Sequence, residues 1–345
     1  MIARRYKDVS SRRVFVSRIA LGVVWTNAVF GLSGQTQAKG RILHFDWTLL
    51  DEWRTTNSLF FLRDHSGEPS IEAVTGNVTI SGMVAKPCKI SYEELAGRQA
   101  RTLAVTLECA ENSSGGGMVA NAEWTGVTLR SLLADAEPQP VARVVRLCGA
   151  DGYHRVIPLT KAMHPDTLVA WGMNGEKLPS RHGAPARAII SGWYGMDSVK
   201  WLNRIEVLSK AKVDTYLREM RSGEKEPIAS ISVNSAFARP TDGAIVSRRR
   251  FVLRGAAWAG ESRIRAVEVS SDSGKTWSHA RLLDAPQQYA WVRWESEWTI
   301  ADSGTYELVV RATDDAGRSQ PETRDPRRSD EYENNSYQRI QVMVR

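Results

Sequence analysis

Val105-Thr106-Leu107-Glu108-Cys109-Ala110-Glu111-Asn112 reads as a strand that runs straight into a cysteine. Ala104 to Leu107 is rich in strand-forming residues, and Gly115-Gly116-Gly117 continues a loop of small side chains behind Cys109. A strand ending at such a loop can present a thiolate at the mouth of a pocket. Thiolates suit soft metals, and a metal also deprotonates the thiol it binds. The plainer reading is a buried structural cysteine, the usual fate of a free thiol. From spacing alone, that plainer reading is the stronger one.

Outward from this stretch, Arg143 to Leu147 is a second strand candidate, ending at Cys148. Ala188-Ile189-Ile190 is a third, broken at Gly192, and Val127 to Ala134 reads as a short helix. Strands with short helices and no regular βαβ spacing argue for an α+β domain over residues 40–210. The polar stretch 211–227 reads as a linker. From 228 to 345 the pattern is all-β: Ile228 to Val233, Arg250 to Leu253, Arg263 to Val269, Trp291 to Trp298 and Tyr306 to Ala312. Thr241-Asp242-Gly243, Asp272-Ser273-Gly274 and Asp314-Asp315-Ala316-Gly317 punctuate it with turns. That spacing predicts an immunoglobulin-like sandwich. A length of 345 residues accommodates two such domains. Twelve tryptophans must be buried or used at interfaces.

The net charge of +7 suggests a polyanion partner only until it is located. Arg4, Arg5, Lys7, Arg12, Arg13, Arg18 and Lys39 face the single acid Asp8 within residues 1–39, so nearly all the excess lies there. Nucleic acid is therefore not an expected partner. The same segment runs from basic residues through an apolar run, Ile19 to Leu32, to small residues at Thr36-Gln37-Ala38. That is the order of a signal peptide, and the run is short for a bilayer span of about 20 residues. Arg12-Arg13-Val14-Phe15 looks like a twin-arginine signal, the route for folded proteins. The expectation is periplasmic export, with no membrane span left after processing.

Cys88, Cys109 and Cys148 are the three cysteines, an odd number for an exported chain. With no Cys-x-x-Cys, neither a structural zinc site nor a covalent haem is indicated.

A series of blocks, in order, resembles the sulfite oxidase family of molybdopterin-dependent oxidoreductases. Glu108-Cys109-Ala110-x-Asn112 with Asn121-Ala122-x-Trp124-x-Gly126-Val127 resembles the family's metal-binding core. Phe60-Phe61-Leu62-Arg63-Asp64-His65 resembles its early block, and Asp151-Gly152-Tyr153 its mid-domain turn. Met173-Asn174-Gly175, His182-Gly183-x-Pro185-x-Arg187 and Gly192-x-Tyr194-Gly195-x-x-Ser198-Val199-Lys200-Trp201 resemble its pterin and late glycine blocks. In the second half, Val233-Asn234-Ser235 with Arg239-Pro240, Gly255-x-Ala257-Trp258-x-Gly260 and Val267-Glu268-Val269-Ser270 resemble its dimerisation domain. The resemblance runs from about residue 55 to the C-terminus.

It implies molybdopterin and molybdenum as cofactor, with Cys109 as the metal ligand. It implies Arg63, Asp64, His65, Asp151, His182, Arg187, Ser198 and Lys200 as further cofactor contacts. Arg187 can fork to a phosphate and Lys200 adds a point charge, while Gly192 and Gly195 allow backbone N–H groups close to it. Arg63 and a tyrosine join Cys109 as catalytic residues. Tyr216 is the candidate by order, with Tyr194 and Tyr153 competing. The second domain implies a homodimer.

The chain also departs from the family. Animal and plant members carry an arginine five residues after the metal cysteine, where this chain has Ser114, and another near the C-terminus, where it reads Arg327-Arg328-Ser329-Asp330-Glu331. Arg155 or Arg181 could substitute. A doubly charged anion in a low-dielectric pocket needs compensating charge. The leading expectation is oxidation of sulfite to sulfate by oxygen-atom transfer, with electrons leaving to an external c-type cytochrome, since no Cys-x-x-Cys-His site or preceding b-type haem domain is present. Oxidation of protein-bound sulfur, as by a sulfane dehydrogenase, would explain the lost arginines. A periplasmic methionine sulfoxide reductase would lack the dimerisation domain. A binding module that has lost its metal would not need Cys109, Arg187 and Lys200.

Overall fold

Alternating hydrophobicity fades at the end of the strand Arg101–Glu108, where Val105 to Glu108 are all buried, and the fold shows why both faces are covered. In the computed structural model this strand pairs antiparallel with Val119–Thr128, Leu107 opposite Ala120. On its other edge it meets the second domain: Thr106 N–H donates to the Tyr289 carbonyl (2.8 Å), and Trp291 N–H donates to Thr106 Oγ1 (2.8 Å). The structure describes residues 41–345 except 66, 71–73, 75, 210–227, 248 and 329–330. The expected signal at 1–39, the linker at 211–227 and Tyr216 lie outside the described residues.

The first domain holds two five-stranded sheets. One runs Glu176–Lys177, Thr167–Met173, Val119–Thr128, Arg101–Glu108, with Arg187–Ile190 also paired to Thr167–Met173. The other runs Cys88–Ser91, Asn77–Gly82, Leu202–Ser209, Ala142–Gly149, His154–Pro158, and only its Asn77–Gly82 and Leu202–Ser209 pair is parallel. The short helix is Leu129–Ala136 rather than Val127 to Ala134. Val127 and Thr128 stay in the preceding strand, and Thr128 caps the helix by accepting from Ser131 N–H at 3.2 Å. Leu129, Leu132, Leu133 and Ala136 form the buried stripe, each leucine contributing about 1.5–3 kcal/mol of burial.

The second domain is a sandwich, as its turn spacing predicts. One sheet orders Asn234–Arg239, Arg250–Trp258, Val292–Thr299 and Arg281–Leu282. The facing sheet orders Ile245–Val246, Gln338–Val344, Gly304–Asp314, Ile264–Ser270 and Ser278–His279. Phe237, Leu253, Val267, Trp294, Leu308 and Val342 fill the space between. Ile228 to Val233, predicted as a strand, is not one. It threads the seam between the domains, where Ile231 N–H donates to the Gly192 carbonyl and the Ile231 carbonyl accepts from Gly260 N–H, both at 2.9 Å. Its buried isoleucines serve that seam, not a ladder.

Ala38–Arg345 is one compact unit. Tryptophans hold the seam together. Trp47 stacks on Trp258 at 6.0 Å. Trp53 Nε1 donates to the Trp291 carbonyl (3.0 Å) and Trp291 Nε1 donates to the Trp53 carbonyl (2.8 Å). No helix among the described residues is long and apolar enough to cross a membrane.

Candidate active site

One cavity gathers Arg63, Asp64, His65, Cys109, Asp151, His182, Arg187, Ser198 and Lys200 on its walls. These residues come from six separate stretches of sequence. Cys109 leaves the end of its strand with its N–H donating to the Met118 carbonyl at 2.9 Å. Burial pushes its thiol pKa up. The three cysteines are all free; Cys148 is buried and Cys88 packs against the core, as small apolar side chains do.

Arg187 is buried beneath the cavity. Its Nη1 and Nη2 donate to the carbonyls of His182 (2.9 Å) and Ser198 (3.0 Å), and its face lies 4.9 Å from the Trp124 ring. Its Nε–H has no partner among the described residues. Burial lowers its pKa to about 9, which leaves it charged at neutral pH. Lys200 pairs with the buried Asp64 and donates to the Arg181 carbonyl at 3.1 Å. Gly183, at φ 109°, lets the chain turn there, and a Cβ would stand 2.9 Å from that of Lys200. Ser198 Oγ is taken by Ile190 N–H (3.1 Å), so this residue serves the site through its carbonyl. Asp151 accepts from Tyr153 N–H (3.1 Å), and burial raises its pKa. His65 stacks on Tyr153 at 5.0 Å, and its pKa is lowered by burial and then by Arg63.

His182 Nε2–H donates to the Asn57 carbonyl at 2.8 Å. Burial depresses its pKa from 6.5 to about 4. On acidification the unfolded chain takes this proton first, so the contribution is complete above pH 6.5 and is lost as pH falls through 4. It is worth up to about 3 kcal/mol. Urea unfolding of cofactor-free protein at pH 7 and pH 4.5 is expected to show wild type losing more stability than His182→Gln. Equal losses in the two proteins would rule this histidine out as the sensor.

Some expectations shift. Gly192 is not at the cavity; a Cβ there would meet the Gly260 backbone at 2.9 Å, so it is a seam glycine, whereas Gly195 does line the cavity. Tyr194 is buried with its hydroxyl near Ser232 N–H, while Tyr153 lines the cavity. Of the substitute arginines, Arg155 lines the cavity but pairs with Asp197 (2.9 Å), and Arg181 donates to the Asn57 carbonyl outside it. Arg327 pairs with Asp325 at the surface, and Arg328 with Glu333 (2.9 Å).

The sequence reading missed three residues. Tyr332, from the second domain, lines the cavity, and the neighbouring Glu333 N–H donates to the Ala110 carbonyl at 2.8 Å. Glu111 also lines it and accepts from Arg63 Nε (3.0 Å) and Nη2 (3.3 Å). Glu108, buried beneath, accepts from Asn112 Nδ2 (2.9 Å), Asn234 Nδ2 (3.2 Å) and Trp258 Nε1 (2.9 Å). Burial pushes its carboxyl up to about 7 against the pull of those donors. A charge beside the cysteine was the available signal for both glutamates.

Over residues 65–216 the chain matches the family model of the oxidoreductase molybdopterin binding domain, and over 225–345 that of the Mo-co oxidoreductase dimerisation domain. It is 29% identical to mitochondrial sulfite oxidase of Mus musculus, covering 80% of this chain and 58% of that one. It is likewise 29% identical to sulfite oxidase of Gallus gallus (80% and 70%), and 30% identical to an NADH nitrate reductase of Ulva prolifera (84% and 40%). The sulfane dehydrogenase SoxCD of Paracoccus pantotrophus superposes with a TM-score of 0.79 at 28% identity, over 92% of this chain and 87% of that one. The two models together span most of the chain, and it belongs to the sulfite oxidase family. The molybdenum cofactor that membership implies fits the cavity: a lone soft thiol, a buried guanidinium with an orphaned N–H and a lysine converge there. No cluster of three or more metal-ligating side chains competes among the described residues.

Proposed function

We propose that this protein oxidises a sulfur compound at a molybdenum centre held through Cys109. The observation that carries this reading is one cavity lined by the Cys109 thiol, Arg187 and Lys200 in a chain of this family. When bound, the cofactor supplies oxygen-atom transfer and storage of two electrons. Each turnover adds one oxygen atom, drawn from water, to the substrate sulfur and releases two electrons and two protons.

The chain's own residues do the holding and orienting. Cys109 Sγ is the protein's ligand to the metal. Arg187, through its orphaned Nε–H, and Lys200 hold the anionic end of the pterin, and His182, Asp64, His65 and Asp151 frame its ring. Arg63 faces the substrate beside Cys109. Electrons leave to a separate acceptor, which we take to be a c-type cytochrome; the 345 residues hold no Cys-x-x-Cys-His of their own. The basic-apolar-small order of residues 1–39 supports a periplasmic location, and the match to a dimerisation domain supports a homodimer.

Sulfite is one candidate substrate, by likeness to the sulfite oxidases. Sulfur carried on a larger molecule is the second, favoured by the Arg63–Glu111 ion pair and by the likeness to a sulfane dehydrogenase. The test is molybdenum content by elemental analysis, then ferricyanide reduction with sulfite and with a persulfide. A metal-replete protein that reduces the acceptor with neither would overturn the reading. A chain that stays metal-free in a competent host would be a binding module.

A further inference from the structure

The walls of the cavity carry cations, and almost all of them are already matched. Lys200 is paired with Asp64, and Arg155 with Asp197. Arg187 directs both Nη groups at backbone carbonyls beneath the cavity. Arg63 is the cation that shares the wall with Cys109, and Glu111 holds it by two contacts, Nε–Oε2 at 3.0 Å and Nη2–Oε1 at 3.3 Å. The two side chains are 24% and 33% exposed, shielded enough for the pair to be weakly screened. Asp151 places another carboxyl on the same wall. A free dianion entering here meets an arginine whose fork is occupied and a carboxylate directly behind it. A like charge at that range opposes binding strongly, whereas a neutral group is indifferent to it.

We propose that Glu111 is the specificity-determining residue of this site: by occupying Arg63 it turns the cavity toward neutral or singly charged sulfur compounds and away from free dianions. This rests on the proposed function, since it names the charge class of the substrate for that same cavity. Glu111 lies two residues beyond Cys109 on the same loop, so the selecting charge is fixed relative to the sulfur ligand.

The test uses sulfate as a dianionic probe and isothermal titration as the readout, on the molybdenum-loaded protein at low salt. Wild type, Glu111→Gln, Glu111→Ala, Arg63→Gln and the Arg63→Gln/Glu111→Gln double variant are compared. Both Glu111 variants are expected to bind sulfate at least about tenfold more tightly than wild type. The gain should shrink with added salt and vanish in the double variant, with molybdenum content unchanged. Sulfate affinity equal to wild type in both Glu111 variants would overturn the proposal, and so would a gain that survives loss of Arg63. Because binding is read without turnover, a metal-replete protein that oxidises no sulfur compound but shows the sulfate gain would remove the proposed function and leave only the exclusion of dianions by Glu111.

Discussion

Cys109→Ser is expected to abolish turnover while leaving a folded protein. Cysteine and serine are nearly the same size, and the Cys109 backbone bond to Met118 is untouched by the change. What changes is the donor: a hard hydroxyl replaces a soft sulfur at the position proposed to hold the metal. The loss should exceed the roughly 10–100-fold typical of residues that only support a ligand. On the proposed assignment Arg187 and Lys200 would still hold the pterin, so part of the cofactor should remain bound. The measurement is turnover per molybdenum with ferricyanide, beside a thermal melt. A variant that turns over like wild type would remove Cys109 from the site altogether.

Glu108→Ala is expected to cost about 3–5 kcal/mol of folding stability. The carboxylate is buried and gathers three donors, Asn112, Asn234 and Trp258. Truncation strands all three and opens a cavity beneath the cysteine loop, and each orphaned buried donor costs about 1–3 kcal/mol. Glu108→Gln keeps the shape and one acceptor oxygen, so it should lose less than half as much. Urea unfolding of the three proteins decides the matter. A loss below about 1 kcal/mol for the alanine variant would mean that water replaces the carboxylate and that the clamp is weak.

The contrast between those residues says what a sequence exposes. That Cys109, Arg187, Lys200 and His182 belong together was legible because they stand in ordered blocks of a recognisable family, and one cavity gathers them. The strands around Arg101–Glu108 and Arg250–Trp258 were legible from their local runs of strand-forming residues. Glu108 was not, since its partners Asn234 and Trp258 lie 126 and 150 residues away. Ile228 to Val233 misled for a related reason: its apolar residues are buried against another domain, and a burial pattern does not say by what. Glu111 sat inside the deciding stretch, yet its pairing with Arg63, 48 residues earlier, is a fact of tertiary structure alone.

The clamp on the cysteine loop also sets an order of events during synthesis. Asn234, Trp258, the Tyr289–Trp291 edge and Glu333 are all translated after Cys109, the last of them more than two hundred residues later. A chain emerging from the ribosome with only its first domain complete has Asn112 alone to satisfy Glu108. Its cysteine strand has one open edge, and its cavity lacks the wall that Tyr332 supplies. A fragment that ends before Asn234 therefore lacks two of the three donors that hold Glu108 and one wall of the cavity.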